Sequence, residues 1–224
     1  MQRALASLFL TLFCISMAPL AAAQERNAPT GTTSRSERPT QTGYFGAQFF
    51  DLSSKARASL AISQQRALLV MNIVRGAPAE RSGLKAGDII IAMNGEDVTT
   101  ADEFVDRIKM RGAGGHVVIQ AVRQGRHVEI AAKLIDVGSA KRLTASPQAM
   151  ARHAEHQLAD LEKIGRLYPA AAYPEVWALS RLELGVNALS RTLGDQGANA
   201  ERAILAINEA LKVLTRDTDP SAWA

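Results

Sequence analysis

The chain has 224 residues, 47% of them apolar, which is enough for one or two ordinary domains with a real hydrophobic core. A net charge of only +4, with no basic stripe interleaved with aromatics, argues against a nucleic-acid binder. Cys14 is the only cysteine, so no disulfide framework supports the fold.

Residues 1–23 read as a secretory signal peptide: Arg3 supplies the basic start, Ala4 to Leu20 are mostly apolar, and Ala21-Ala22-Ala23 precede Gln24 as a small-residue cleavage site. A membrane anchor is the competing reading, since the run approaches the ~20 residues of a span. Pro19 and the alanines favour cleavage, which would carry Cys14 away and leave the protein periplasmic or secreted, with no stable membrane insertion. Residues 24–42 are rich in Thr, Ser, Pro, Arg and Gly and read as a flexible linker.

Elements then follow quickly. A strand at 47–50 leads to a short helix over 53–60 and a strand at 67–74 that is apolar on both faces. Ala77-Pro78-Ala79 opens a helical turn ending at Gly83. A strand at 88–93 precedes the hairpin-type turn Asn94-Gly95. Thr100 caps a helix running to Met110, with Glu103 completing a capping box. Strands at 116–123 and 126–134 are joined by Gln124-Gly125.

From Ser146 onward Ala and Leu dominate. Met150, Ala154, Leu158, Leu161, Ile164 and Leu167 recur at helical spacing. Pro174 starts a second helix with Val176, Leu179, Leu182, Val186, Leu189 and Leu193 on one stripe. Ile204, Ile207, Leu211 and Leu214 mark a third. Three amphipathic helices with short loops predict a small bundle over 146–217, with Leu158, Leu161, Leu182 and Leu189 in its core.

Two runs carry a family resemblance. Gly43-Tyr44-Phe45-Gly46-Ala47 precedes the apolar Phe49-Phe50, and Gly83-Leu84-Lys85-Ala86-Gly87-Asp88 leads through Ile89-Ile90-Ile91-Ala92-Met93 to Asn94-Gly95. Together, over 43–136, they resemble a PDZ domain of the type that follows the protease domain in bacterial HtrA/Deg serine proteases. The resemblance implies an α+β fold: a PDZ-like, partly open β-barrel or sandwich with two helices, here followed by the helical bundle. It also implies a peptide-carboxylate loop at Tyr44, Phe45, Gly46 and Ala47, and a groove lined by Gln48, Phe49, Val105 and Ile108. Backbone N–H groups exposed by a glycine-containing turn form an anion nest, and a ligand strand can add to the edge at 47–50. Ala47 stands where the family carries a larger aliphatic residue, which implies room for a bulky last side chain.

Catalytic chemistry finds little support. The protease's Gly-x-Ser-Gly-Gly loop is missing; the serine before a glycine is Ser82. His153 and His156 have a metal-like spacing without a second ligand set. Asp88 reads as a turn residue accepting backbone hydrogen bonds. Arg111-Gly112-Ala113-Gly114-Gly115 lacks the lysine and hydroxyl of a phosphate loop. The expectation is a non-enzymatic module, with no cofactor or metal, that binds C-terminal or extended peptide segments as a scaffold or adaptor in the bacterial envelope. The alternatives are an accessory subunit of an envelope serine protease system and a structural oligomerising protein with a vestigial groove.

Overall fold

The computed structural model describes residues 41–191 and 194–215. The expected signal peptide, residues 24–40 of the linker, Leu193 and the end of the helical segment lie outside the described residues.

In chain order the elements are β1 Gly43–Tyr44, β2 Ala47–Asp51, α1 Ser54–Ser59, β3 Leu68–Ile73, α2 Pro78–Arg81, β4 Ile89–Met93, β5 Glu96–Asp97, α3 Ala101–Arg111, β6 His116–Arg123, β7 Arg126–Lys133, β8 Ile135–Asp136, α4 Val137–Leu143, α5 Pro147–Leu167, α6 Pro174–Ser190 and α7 Gln196–Leu211. Local chemistry explains most of the boundaries. Ser53, Thr100, Asp136, Ser146 and Asp195 each cap a helix through a side-chain oxygen that accepts a backbone N–H. Thr100 behaves as expected, but the Glu103 carboxylate takes the Thr99 hydroxyl. Asn94-Gly95 turns with both residues at positive φ, +54° and +81°, as the tightest hairpin turn requires.

The main sheet is antiparallel, in the order β2-β3-β4-β6-β7, with β5 pairing β4; β1 and β8 form a second, two-stranded sheet. Helices and loops cover both faces of the central strands, which is why β3 and β4 read as continuous apolar runs. On the inner face Phe45, Leu68, Val70, Ile90, Met93 and Ile119 pack with Phe104 and Ile108 of α3. On the outer face Leu69, Met71, Ile89, Ile91 and Val122 join Leu158, Leu161, Ile164, Val176, Leu179 and Leu184. The C-terminal helices and the sheet therefore share one hydrophobic cluster. Tyr168, at the end of α5, locks the junction: its hydroxyl donates to the Gly87 carbonyl at 2.7 Å.

Helical spacing located the C-terminal helices but not all of their buried faces. Leu158 and Leu161 are buried, Leu182 is half-buried, and Leu189 and Ile204 are 57% and 59% exposed. On α7 the buried side is Asn199, Ala203, Ala206 and Ala210. The reason is close approach. A Cβ added at Gly185 of α6 would lie 2.5 Å from Ile207 Cγ1 and 3.0 Å from the Ala203 carbonyl oxygen. Gly185 makes room for Ile207, and α7 otherwise turns its alanine face inward and leaves Ile204, Leu205 and Leu211 exposed.

Candidate functional site

The residues expected to form a carboxylate loop lie at the β1–β2 connection. Gly46 sits at φ +87°, and a Cβ there would fall 2.2 Å from Ala77 Cβ, so only glycine lets the loop pass the start of α2. The loop is pinned through its carbonyls: Phe45 O accepts from Ala79 N and Gly46 O from Val74 N, both at 2.9 Å. The N–H groups of Phe45 and Gly46 donate to no acceptor among the described residues. Two consecutive amides with both carbonyls engaged behind them form a small electropositive nest.

Next to the loop, β2 is an edge, pairing with β3 alone among the described residues. Alongside it runs α3, in the opposite direction. Its start meets the end of β2, where Ala101 N–H donates to Asp51 Oδ1 at 3.2 Å. Its end lies over Gly43, where an added Cβ would come within 2.5 Å of the Ile108 carbonyl. Burial raises the Asp51 carboxyl above its usual range; the Ala101 hydrogen bond and Arg66 oppose that shift, and Asp102 adds to it. Between β2 and α3 stand three aromatics. Phe45 is buried and stacks on Phe49 at 6.5 Å, and Phe49 meets Phe104 edge-on at 4.8 Å.

The structure brings Tyr44, Phe45, Gly46, Ala47 and Phe49 together at one end of this edge. Tyr44 is half-buried and pairs with Ile135, and burial raises its hydroxyl pKa. Ala47 and Phe49 are partly buried against the inner cluster. Val105 is partly exposed on α3, whereas Ile108 is 4% exposed and packs within that cluster. Gln48 turns its side chain to the other face of the sheet, donating from Nε2 to Glu183 Oε1 at 3.0 Å. Its side chain is therefore not among the residues facing α3, contrary to its expected place in a groove lining.

Asp88 is a structural anchor. It accepts from Lys85 N–H at 2.8 Å, as the turn reading expects, and bidentately from Arg123 at 2.7 Å for each bond. The Asp88 hydrogen bonds raise the Arg123 pKa further. Arg123 gave no sequence signal as the partner, because it lies 35 residues away on another strand. Glu183 of α6, which reaches Gln48 of β2, and Glu175, which reaches Ser53 just past that strand, were missed too, being hidden within an apolar helix pattern. His153 is partly buried, which lowers its pKa, with His156 adding to the shift. Among the described residues no group of three or more His, Cys, Asp or Glu is placed to hold a metal ion, and no helix is long and apolar enough to cross a membrane.

Comparison with known proteins identifies the domain to which this region is similar. Residues 43–134 match the family model described as PDZ domain. The chain is 31% identical over 88 residues to a probable periplasmic serine endoprotease, DegP-like, of Chlamydia muridarum, covering 39% of this chain and 18% of that protein. It is 32% identical over 92 residues to a probable periplasmic serine protease, do/HhoA-like, of Haemophilus influenzae, covering 41% and 20%. The chain thus spans about a fifth of the length of these curated relatives. Among solved structures, the HtrA-type protease AlgW with decapeptide matches at 22% identity and a TM-score of 0.38, over 43% of this chain and 30% of that one. Residues 43–134 are a PDZ domain homologous to the PDZ domains of DegP/HtrA proteases, and the chain covers only that part of them.

Proposed function

We propose that this PDZ domain captures the C-terminus of another protein. The ligand's terminal carboxylate docks on the Phe45 and Gly46 N–H groups, and its last residues add as a strand to β2, opposite Val105 of α3. The observation that carries this reading is the loop itself. Its carbonyls are engaged behind it, and its two amides find no acceptor among the described residues. A carboxylate there would take charge-assisted hydrogen bonds. Recognition is non-catalytic, and the protein acts as a scaffold or adaptor in the bacterial envelope. Two features support that location: the exported pattern of residues 1–23 and the periplasmic assignment carried by the relatives' names. Extended segments and an envelope protease are the partners that fit the reading.

The test is titration of a free-acid decapeptide pool with randomised last positions, and of its amidated counterpart, against the full chain. Free-acid binding near micromolar, about −8 kcal/mol, with at least tenfold loss on amidation, is the expected result. Equal binding of the two pools overturns the carboxylate mechanism, and no binding of either overturns the function.

A further inference from the structure

The edge strand is held from behind at both ends by one helix. At its start, Gln48 Nε2 donates to Glu183 Oε1 at 3.0 Å. Just past its end, Ser53 donates its backbone N–H to Glu175 Oε1 at 3.2 Å and its hydroxyl to Oε2 of the same carboxylate. Glu175 and Glu183 are eight residues apart on α6, about 12 Å along the axis and little more than two turns. They therefore lie on one side of the helix, which runs opposite to β2. Both carboxylates are buried, Glu183 at 6% exposure.

Charge is an expensive way to pack a helix on a sheet. Well-fitted apolar side chains at these sites would stabilise the fold as well or better. The sheet is also shaped to present the contact. Ala47 and Phe49 face the inner cluster and Phe50 the outer one, so alternation along β2 puts Gln48 on the helix face. Gln48 pairs with Asn72 and Phe49 with Val70, a bulge on β3 that skips Met71. Asn187 Nδ2 donates to Glu183 Oε1 at 3.3 Å, and the buried Asn72 Oδ1 opposite Gln48 has no partner among the described residues.

We infer that Glu183 and Glu175 are positioning residues for the peptide strand: α6 sets the placement of β2 through Gln48 and Ser53, so the C-terminal helices govern how well the edge accepts an added strand. This rests on the proposed peptide capture. Charged groups where α6 meets its neighbours are engaged elsewhere, Arg181 with Glu209 of α7 and Arg191 with Glu155 of α5. Lys55 of α1 lies by Glu175 at a small cleft of about 80 Å³. The groups acting on the Glu183 carboxyl are burial, which raises its pKa, and the Gln48 and Asn187 hydrogen bonds, which lower it. Protonation begins above the ordinary glutamate value of about 4.3, and it removes the charge that holds Gln48.

The experiment compares the full chain with Gln48→Leu, Glu183→Leu, their double variant and Glu183→Gln. The readouts are affinity for the free-acid decapeptide pool between pH 5 and pH 7.5, thermal melting, and hydrogen exchange of the β2 amides. Gln48→Leu and Glu183→Leu should each weaken binding about tenfold, the scale of one charge-assisted hydrogen bond. The double variant should be no worse than either single one, and the melting temperature of Glu183→Leu should hold or rise. Glu183→Gln, still able to accept from Gln48, should keep affinity at pH 7.5 and lose its pH dependence. Affinities within twofold of the parent chain, or losses that merely follow melting temperature, overturn the inference. Failure of the parent chain to bind the pool refutes the proposed function instead. The β2 amides then decide the positioning alone: faster exchange in Gln48→Leu supports it and unchanged exchange overturns it.

Discussion

Leu161→Ala tests whether the C-terminal helices and the sheet form one cooperative unit. Leu161 is 2% exposed and belongs to the cluster that also holds Leu69, Met71, Ile89 and Ile91 of the sheet. Truncation removes three carbons from a site walled by two kinds of element, so collapse around the cavity is limited. The loss should be about 3 kcal/mol, within the range of roughly 2–5 kcal/mol for such changes. For a unit of this size each kcal/mol shifts the melting temperature by roughly 2–4 °C, giving about 6–12 °C. Leu189→Ala is the control, since Leu189 is mostly exposed and should change stability by less than about 0.5 kcal/mol. The assay is thermal melting followed by circular dichroism, which reports the helices, together with amide signals of β3 and β4, which report the sheet. A shared core requires both probes to move together in Leu161→Ala. The reasoning fails if the helices melt early while the sheet signals keep their midpoint, or if Leu189→Ala costs as much as Leu161→Ala.

Gly46→Val should weaken peptide capture and also lower stability, by roughly 1–3 kcal/mol for the backbone conformation alone, because the new side chain meets Ala77; normal melting and binding would refute the loop geometry. Arg123→Ala should cost about 3 kcal/mol in denaturant titration, since it leaves the buried Asp88 carboxylate with the Lys85 N–H; a loss below about 1 kcal/mol would show that Asp88 is not anchored as described. Burial, with smaller contributions from Asp88 and Tyr173, pushes the Tyr168 hydroxyl up to about 12. Its folded value lies above its unfolded value near 10, so its contribution is complete below about pH 10 and is lost as pH rises toward 12, some 2–3 kcal/mol in all. Tyr168→Phe should flatten that alkaline decline, and an unchanged slope would refute the assignment. The raised Glu183 pKa gives the same sign at acid pH: its contribution is full below about pH 4.3 and fades as pH rises through the folded value. Glu183→Gln should therefore be neutral or stabilising at pH 7.5, and a large destabilisation there would contradict it.

The sequence by itself determined whatever depends on near neighbours in the chain. Apolar runs, turn residues and helical spacing located the longer strands and most helices, while the short β1, β5 and β8 and helix α4 gave no such signal. Ser53, Thr100 and Ser146 cap from one residue outside their helices, and Asn94-Gly95 turns because those residues tolerate positive φ. The loop Tyr44–Ala47 and the runs around Asp88 carried the PDZ resemblance for the same reason, each being a contiguous backbone device. Tertiary structure alone decided which side of each element is used. Alternation along β2 turns Gln48 to the face opposite Phe49, but only the packing of α6 on that face brings it to Glu183, 135 residues away. The approach of α7 to Gly185 favours alanines over the larger Ile204 and Leu211, because packing distance and not hydrophobicity selects the face. Arg123 finds Asp88, and Tyr168 finds Gly87, across 35 and 81 residues. Such pairings follow from how layers stack in space, and local sequence chemistry carries no record of that.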